Sequence, residues 1–135
     1  MENESKIMSM YHSINSYGIK QINPSSESEY YSPLYGELTY RGTQSIIKSF
    51  SSYFNKNTVF YDFGSGLGKM VIHLGNLIPP IKKSIGIEYS LGRYEGAVNL
   101  AKDSRLDNDK IKFINGNFFT TDVSDATVIY IDNYA

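Results

Sequence analysis

The sequence predicts an α/β fold in which a parallel sheet carries helices on both faces. The first observation behind this prediction is the run Val59–Phe63, whose β-branched and aromatic residues indicate a buried strand. Glycines at positions 64, 66 and 68 follow it, and apolar residues at helical spacing come next. The second observation is that short apolar runs alternate with amphipathic stretches along the rest of the chain. That alternation is typical of parallel sheets, whose connections return over a face as helices.

The remaining elements follow from the same reasoning. Further strands are expected at residues 84–88, 110–114 and 126–131, which brings the sheet to four strands. Helices are expected from Leu67 to the proline pair at 79–80, since proline ends a helix, and from Leu91 to Ser104. The connection at about residues 117–125 has room for at most a short helical turn.

The first 29 residues form a polar segment ahead of the domain expected at residues 30–135. Serine, asparagine and glutamate are frequent in this segment, which is the composition of a mobile arm. A weakly amphipathic helix that ends at Gly18 is the alternative, because apolar and aromatic residues recur at helical spacing: Ile7, Met10, Tyr11, Ile14 and Tyr17.

Another helix is expected ahead of the first strand. Thr43 is its candidate N-cap, since a threonine side chain there can accept a hydrogen bond from a free backbone N–H. The apolar face of this helix comprises Ile46, Ile47, Phe50, Tyr53 and Phe54.

Composition narrows the class of protein. With 135 residues, 41% of them hydrophobic and 20% charged, the chain is predicted to be a soluble globular domain. Its net charge of −1 provides no basic field for nucleic acid or an anionic membrane. It has no cysteine, which excludes disulfides and thiolate metal sites, and no metal ligand set is predicted. Since neither a signal peptide nor an apolar run of roughly 18–20 residues is present, an intracellular location is expected.

The turn from Gly64 to Gly68, which joins the first strand to the following helix and is called the glycine corner below, narrows the class of ligand. The dinucleotide-binding motif needs a glycine where Lys69 stands. The phosphate-binding loop needs serine or threonine where Met70 stands, and a glycine where Phe63 stands. Asp62, two residues before Gly64, disfavours a phosphate and suits a cationic ligand that donates hydrogen bonds. The amino-acid end of S-adenosylmethionine is such a ligand.

Polar residues follow each of the predicted strands, and ligands of such sheets bind at the carboxyl ends of the strands. Glu88 ends the second strand, 20 residues after the last glycine of the corner, where a carboxylate can accept both hydroxyls of a ribose. Asn117 and Phe118 follow the third strand and suit the edge and the face of an adenine. Asp132 and Asn133 follow the fourth.

Each of these features also has a purely structural interpretation. Asp62 can cap the glycine turn, and Glu88 can be a solvated strand end. Asn117 can belong to an ordinary turn beside a core phenylalanine. Lys69, at the start of a helix, is expected to be solvated, and the two isolated histidines are assigned no catalytic role.

Taken together, the motifs resemble a known family. Asp-x-Gly-x-Gly-x-Gly after one strand, with a glutamate at the end of the next, is the general pattern of class I S-adenosylmethionine-dependent methyltransferases. A narrower resemblance, covering about residues 30–135, is to the disruptor-of-telomeric-silencing (non-SET) histone lysine methyltransferases. It is carried by Tyr35-Gly36-Glu37, Asp62 to Gly68, Gly86-Ile87-Glu88, Gly116-Asn117-Phe118 and the segment Val128 to Ala135.

The resemblance implies a Rossmann-like sheet that binds S-adenosylmethionine and has further C-terminal strands, which this chain lacks. The implied cofactor contacts are Glu37, Asp62, Gly64, Ser65, Gly66, Gly68, Glu88, Asn117 and Phe118. The residues implied beside the reactive methyl and the acceptor channel are Asp132, Asn133 and Tyr134. Tyr35, Tyr40 and Tyr134 are candidate aromatic walls of that channel, since their rings attract a methylammonium, and the alternative is that they pack the loop against the sheet edge. Two positions depart from the family, which usually has aspartate in place of Asn117 and asparagine in place of Asp132.

The implied substrate is a lysine of a protein such as a histone. Two alternatives stay open: a methyltransferase acting on a small molecule or a nucleic-acid amine, and a catalytically silent cofactor-binding subunit. The sequence has no basic segment suited to nucleosome contact, because Lys82-Lys83 is its longest basic run. The missing strands leave residues 127–131 as an apolar edge, which predicts a fragment of a longer chain or a partner chain that pairs there.

Overall fold

The structure, a computed structural model, describes residues 3–12 and 38–132. Its strands are β1 (Val59–Phe63), β2 (Lys83–Glu88), β3 (Ile111–Asn115) and β4 (Val128–Ile131). They form one parallel sheet in the order β3-β2-β1-β4, which confirms the predicted α/β class. The described helices are α1 (Glu4–Tyr11), α2 (Tyr40–Ser49), α3 (Lys69–Leu74) and α4 (Leu91–Asp103), with a 3-10 turn at Ser51–Tyr53. None of these helices is long and apolar enough to span a membrane.

The helices of the described ranges all pack on one face of the sheet. On that face Phe60 of β1 contacts Met70 of α3, and Ile46 of α2 packs against the same cluster. Ile72 of α3 packs with residues of α1 and α4. The opposite face is covered by side chains of the β3–β4 connection, including Phe118. The prediction of helices on both faces is therefore wrong for this part of the chain, because the β3–β4 connection forms no helix.

Helix α1 belongs to the core and not to a detached arm. Ile7 and Met10 are only 5% and 2% exposed, because they pack with the buried Leu100 and Leu106. Burial of two apolar side chains of this size stabilises a helix that would be marginal in isolation. The positions Ile14, Tyr17 and Gly18 of the longer predicted helix lie outside the described residues. So does the predicted boundary between residues 29 and 30, which stays a prediction.

The N-cap of α2 lies four residues before the predicted cap, Thr43. This N-cap is Thr39, whose extended backbone lets the side-chain oxygen accept a hydrogen bond from the Gly42 N–H at 2.9 Å. Thr43 is instead fully buried within the first turns. Phe50 and Tyr53, predicted on the apolar face, are 51% and 61% exposed, because the helix ends before them and its 3.6-residue period no longer applies.

Candidate functional site

The glycine corner joins β1 to α3 through three residues of left-handed backbone. Gly64, Gly66 and Gly68 have φ angles of +79°, +59° and +78°, which residues with a side chain rarely adopt. The N–H groups of Gly64 and Ser65 both donate to the carbonyl of Ile87, at 2.8 and 3.0 Å. Because Gly68 is left-handed, α3 starts at Lys69 and not at Leu67 as predicted. The corner is thus held tightly against β2.

The three glycines have different surroundings. A Cβ on Gly64 would meet no atom within 4 Å, so this glycine borders open space. A Cβ on Gly68 would lie 2.6 Å from the ring of Phe113 and 2.9 Å from the Cβ of Ala97. Gly68 therefore serves the packing of α3 and α4 on the sheet, whereas Gly64 leaves room for a ligand.

Glu88 links this corner to the next helix. Its carboxylate is buried, and Oε1 accepts a hydrogen bond from the Gly66 N–H at 2.7 Å while Oε2 accepts one from the Ser90 N–H at 2.9 Å. Each carboxylate oxygen can accept a second hydrogen bond. Glu88 can therefore support the corner and still accept the hydroxyls of a bound ribose, as the sequence predicts.

Three carboxylates converge beside the corner. Asp62 is 5% exposed, and burial raises its pKa to about 7, with the negative charges of Glu88 and Asp132 contributing in the same direction. The three carboxylates lie at the carboxyl ends of three adjacent strands, β1, β2 and β4. An anionic cluster of this kind favours a cation, although the described residues hold no group of side chains arranged as a metal site.

A cavity opens beside the three carboxylates, and many of the residues that line it are not among those predicted from the sequence. The predicted residues in its lining are Asp62, Gly64, Ser65, Gly68 and Asp132. The additional ones are Tyr11, Leu38, Thr43, Leu67, Lys69, Met70 and Tyr130. Tyr130 stands two residues before Asp132, and that strand spacing was an available signal for a shared face. Tyr11 and Thr43 come from helices distant in the sequence, and no local pattern indicates them.

Lys69 is buried, contrary to the prediction that it is solvated. It is 5% exposed, and its Nζ donates a hydrogen bond to the backbone carbonyl of Tyr11 at 3.1 Å. The same Nζ lies 5.9 Å from the centroid of the Tyr11 ring. Lys69 is buried because α1 packs over the start of α3 and covers this side chain.

Tyr40 does not line the cavity beside Asp62, and its contacts support α1. Its ring stacks on His73 with centroids 5.5 Å apart, and its hydroxyl donates to Glu4 Oε2 at 3.0 Å. His73 in turn shares a hydrogen bond of 2.9 Å between Nδ1 and the Tyr11 hydroxyl. Burial lowers the pKa of His73 to about 4, so the imidazole is neutral at pH 7 and acts structurally.

The residues after β3 make contacts of their own. Oδ1 of Asn117 accepts a hydrogen bond from the Phe119 N–H at 2.8 Å, which forms a local turn. The ring of Phe118 stacks on Phe63 with centroids 4.7 Å apart. These contacts fit the structural interpretation of both residues. Their contacts with an adenine stay predictions.

Two buried hydroxyls stand beside the cavity. Within the described residues, neither Ser65 Oγ nor Thr43 Oγ1 has a hydrogen-bond partner. Ser65 packs against β2, since a Cβ on Gly86 would lie 2.6 Å from its Oγ. Buried polar atoms normally have partners, so these two oxygens are exceptions among the described residues, and Ser65 Oγ faces β2.

The family of the chain follows from comparison with known proteins. Residues 23–135 match the family described as histone methylation protein DOT1. The chain belongs to this family. The match covers the glycine corner, Glu88 and Asp132, and it confirms the resemblance inferred from the motifs. Among curated proteins, no sequence matches this DOT1-family chain.

Three solved structures similar to this DOT1-family chain are methyltransferases. An RNA methyltransferase from Salinibacter ruber in complex with S-adenosylhomocysteine is 25% identical with a TM-score of 0.61, over 70% of this chain and 59% of that one. The plantazolicin methyltransferase BpumL, also with S-adenosylhomocysteine, is 21% identical with a TM-score of 0.56, over 96% and 47%. Geranyl diphosphate C-methyltransferase from Streptomyces coelicolor is 16% identical with a TM-score of 0.52, over 81% and 39%. The DOT1-family chain thus spans less than two thirds of each.

Three predicted site residues fall outside the described ranges. They are Glu37, Asn133 and Tyr134, and the channel tyrosine Tyr35 lies there too. Their roles stay predictions.

We expect Asp62 to make the stability of the protein depend on pH. Its folded pKa of about 7 exceeds the ordinary value of 3.8, so the folded chain binds this proton more tightly than the unfolded chain. The contribution of Asp62 to the free energy of unfolding is therefore fully present below about pH 4. It is lost as the pH rises to 7, by up to ~1.4 kcal/mol per pH unit. Asp62→Asn should remove this slope in urea unfolding between pH 4 and 8, and should stabilise the protein at pH 8.

The matched control for that experiment is Asp109→Asn, which changes an exposed aspartate outside the cluster. It should leave the slope as in the parent chain. An unaltered slope in Asp62→Asn would contradict the assignment of the titration to Asp62.

Proposed function

We propose that this DOT1-family chain binds S-adenosylmethionine and forms the cofactor-binding part of a protein lysine methyltransferase. The observation that carries the proposal is the convergence of Asp62, Glu88 and Asp132 on a left-handed glycine corner. The similar structures from Salinibacter ruber and of BpumL, which contain S-adenosylhomocysteine, support it.

The cavity suits the amino-acid end of this cofactor. Asp62 and Asp132 offer negative charge to its ammonium and sulfonium groups. Gly64 leaves its side of the cavity open, since a Cβ there would project into free space. When bound, S-adenosylmethionine supplies a methyl group activated by a positively charged sulfur.

The chain's own residues then position and protect the reacting groups. Glu88 accepts the ribose hydroxyls, and Asn117 and Phe118 hold the adenine. Glu37 is assigned to the methionine end of the cofactor, and Asn133 and Tyr134 are assigned to the acceptor side. These assignments are carried over from the family motifs, and they give the protein its task of alignment and exclusion of water.

A lysine acceptor is proposed because the family is one of histone methylation proteins. The amine must be neutral to attack, so an apolar channel that lowers its pKa would assist. An intracellular location is part of this proposal. The second candidate is another acceptor, since the similar structures include an RNA methyltransferase and a methyltransferase of geranyl diphosphate. The net charge of −1 disfavours a nucleic acid.

Strand β4 is the proposed position for further structure. It lies at one edge of the described sheet, and its Ile129 and Ile131 are 47% and 51% exposed. An apolar edge strand of this kind pairs readily with another strand. Because the chain spans at most 59% of the three similar structures, we propose that a further part of the protein or a partner chain pairs there.

Two measurements on the same preparation test the function. Calorimetry with S-adenosylhomocysteine should show one binding site. Incubation with methyl-labelled S-adenosylmethionine and either histones, RNA or lysate protein should then place the label on lysine in the protein fraction. Label in RNA or in small molecules would favour the second candidate. Binding with no transfer to any of them would favour a silent cofactor-binding subunit, and no binding would contradict the proposal.

A further inference from the structure

We propose that a second cavity, formed by α1, α2 and α3, is the contact surface of a two-fold symmetric dimer between copies of this chain. The cavity has a volume of about 420 Å³. Among the described residues, it shares no lining side chain with the cavity beside Asp62. The inference therefore concerns assembly, and it does not depend on the proposed function.

The inside of this second cavity is largely apolar. Each neighbouring element contributes one aliphatic side chain: Ile7 from α1, Ile47 from α2 and Leu77 from the segment after α3. Tyr40 and His73 line the cavity as well, and their stacked rings have centroids 5.5 Å apart. A concave apolar surface of a few hundred Å³ is the usual form of a binding site.

Large apolar side chains are exposed next to the lining residues. Met8, Phe50 and Ile78 are 44%, 51% and 60% exposed, and each is the immediate neighbour in sequence of a residue that lines the cavity. The ring centroid of Phe50 lies 6.3 Å from that of Tyr53, which is 61% exposed. Single exposed apolar side chains are common, but a group of them around an apolar cavity marks a surface for another protein.

The charges at the cavity favour a second copy as that protein. Glu4 of α1 is negative and Lys48 of α2 is positive, and both exposed side chains line the cavity. Contacts in a two-fold dimer are reciprocal, so Glu4 of each copy can face Lys48 of the other. The same symmetry lets Phe50 of each copy enter the cavity of the other. One surface thus supplies the cavity, an apolar side chain to fill it and two complementary charges.

Sedimentation velocity over a range of protein concentrations tests the dimer. The parent chain should behave as a monomer–dimer equilibrium. Phe50→Asp should raise the Kd of the dimer at least about 100-fold, because a buried aromatic anchor is typically a hot spot and each dimer contains two. The matched control is Phe119→Asp, which changes an 83% exposed phenylalanine after β3 and should leave the Kd as in the parent chain. Melting curves of both variants establish that they are folded.

A charge exchange tests the reciprocal contact. Glu4→Lys and Lys48→Glu each place like charges opposite one another in their own homodimers, so each Kd should rise about 10-fold. A mixture of the two variants restores opposite charges at both contacts and should form a heterodimer with about the parent affinity. A contact between the two positions within one chain would stay mismatched in the mixture. The loss of the hydrogen bond from Tyr40 to Glu4 also persists in the mixture, so it cannot account for a recovered affinity.

Three results would overturn the proposal. The first is a parent chain that stays monomeric at every concentration. The second is a dimer that Phe50→Asp leaves intact, because that dimer uses another surface, such as the exposed edge at β4. The third is a mixture of the charge variants that dimerises no better than either variant alone, which contradicts the two-fold arrangement. Binding of S-adenosylhomocysteine is measured separately, so the proposed function stands or fails on its own.

Discussion

Replacing Glu88 with alanine is expected to abolish measurable binding of S-adenosylhomocysteine. The variant removes the acceptors of two backbone N–H groups, Gly66 at 2.7 Å and Ser90 at 2.9 Å. Hydrogen bonds to a charged group contribute about 1.5–3 kcal/mol each, and the buried donors would be left without a partner. The glycine corner and the start of α4 lose their common support, and the ribose loses its proposed acceptor. We expect the Kd from calorimetry to rise at least about 100-fold.

Two further variants serve as comparison and control for Glu88→Ala. Glu88→Gln keeps one acceptor oxygen, so it should bind with intermediate affinity. Glu95→Ala removes an exposed glutamate of α4 and should bind as the parent chain does. If Glu88→Ala binds S-adenosylhomocysteine with the parent affinity, the ribose assignment is wrong.

Alanine at Gly68 and at Gly64 should produce opposite defects. Both glycines have nearly the same φ, +78° and +79°, so both variants carry the strain of a left-handed alanine, about 1–2 kcal/mol. At Gly68 the new Cβ would also lie 2.6 Å from the Phe113 ring, and overpacking adds about 1–3 kcal/mol. At Gly64 it would meet nothing within 4 Å. Gly68→Ala should therefore lower Tm by roughly 10 °C, well beyond the effect of Gly64→Ala.

Ligand affinity should show the reverse order. The Cβ at Gly64 enters the space that the cofactor is proposed to fill, so Gly64→Ala should lose most of its affinity for S-adenosylhomocysteine. Gly68→Ala, measured well below its Tm, should retain more of it. The two variants act as controls for each other. A larger Tm loss in Gly64→Ala, or intact binding by it, would contradict the division between a packing glycine and a ligand-facing glycine.

Local sequence features foretold the centre of this molecule. The run Val59–Phe63 became β1, because β-branched and aromatic side chains fit a buried, pleated strand. The positive φ angles at positions 64, 66 and 68 follow from glycine itself. Glu88 lies beside the corner because parallel strands bring their carboxyl ends to the same edge. Such features depend on neighbours within a few residues, or on a register that the strand pattern imposes.

Long-range packing decided the rest. The contact between Lys69 and Tyr11 joins residues 58 positions apart, and only the docking of α1 buries that lysine. The stacking of Phe118 on Phe63 and the placement of Tyr40 on His73 arise in the same way. The sequence alone therefore determined the sheet, the glycine corner and the acidic strand ends. The tertiary structure decided which side chains complete the cavity, because burial and hydrogen bonding there depend on helices that no local pattern positions.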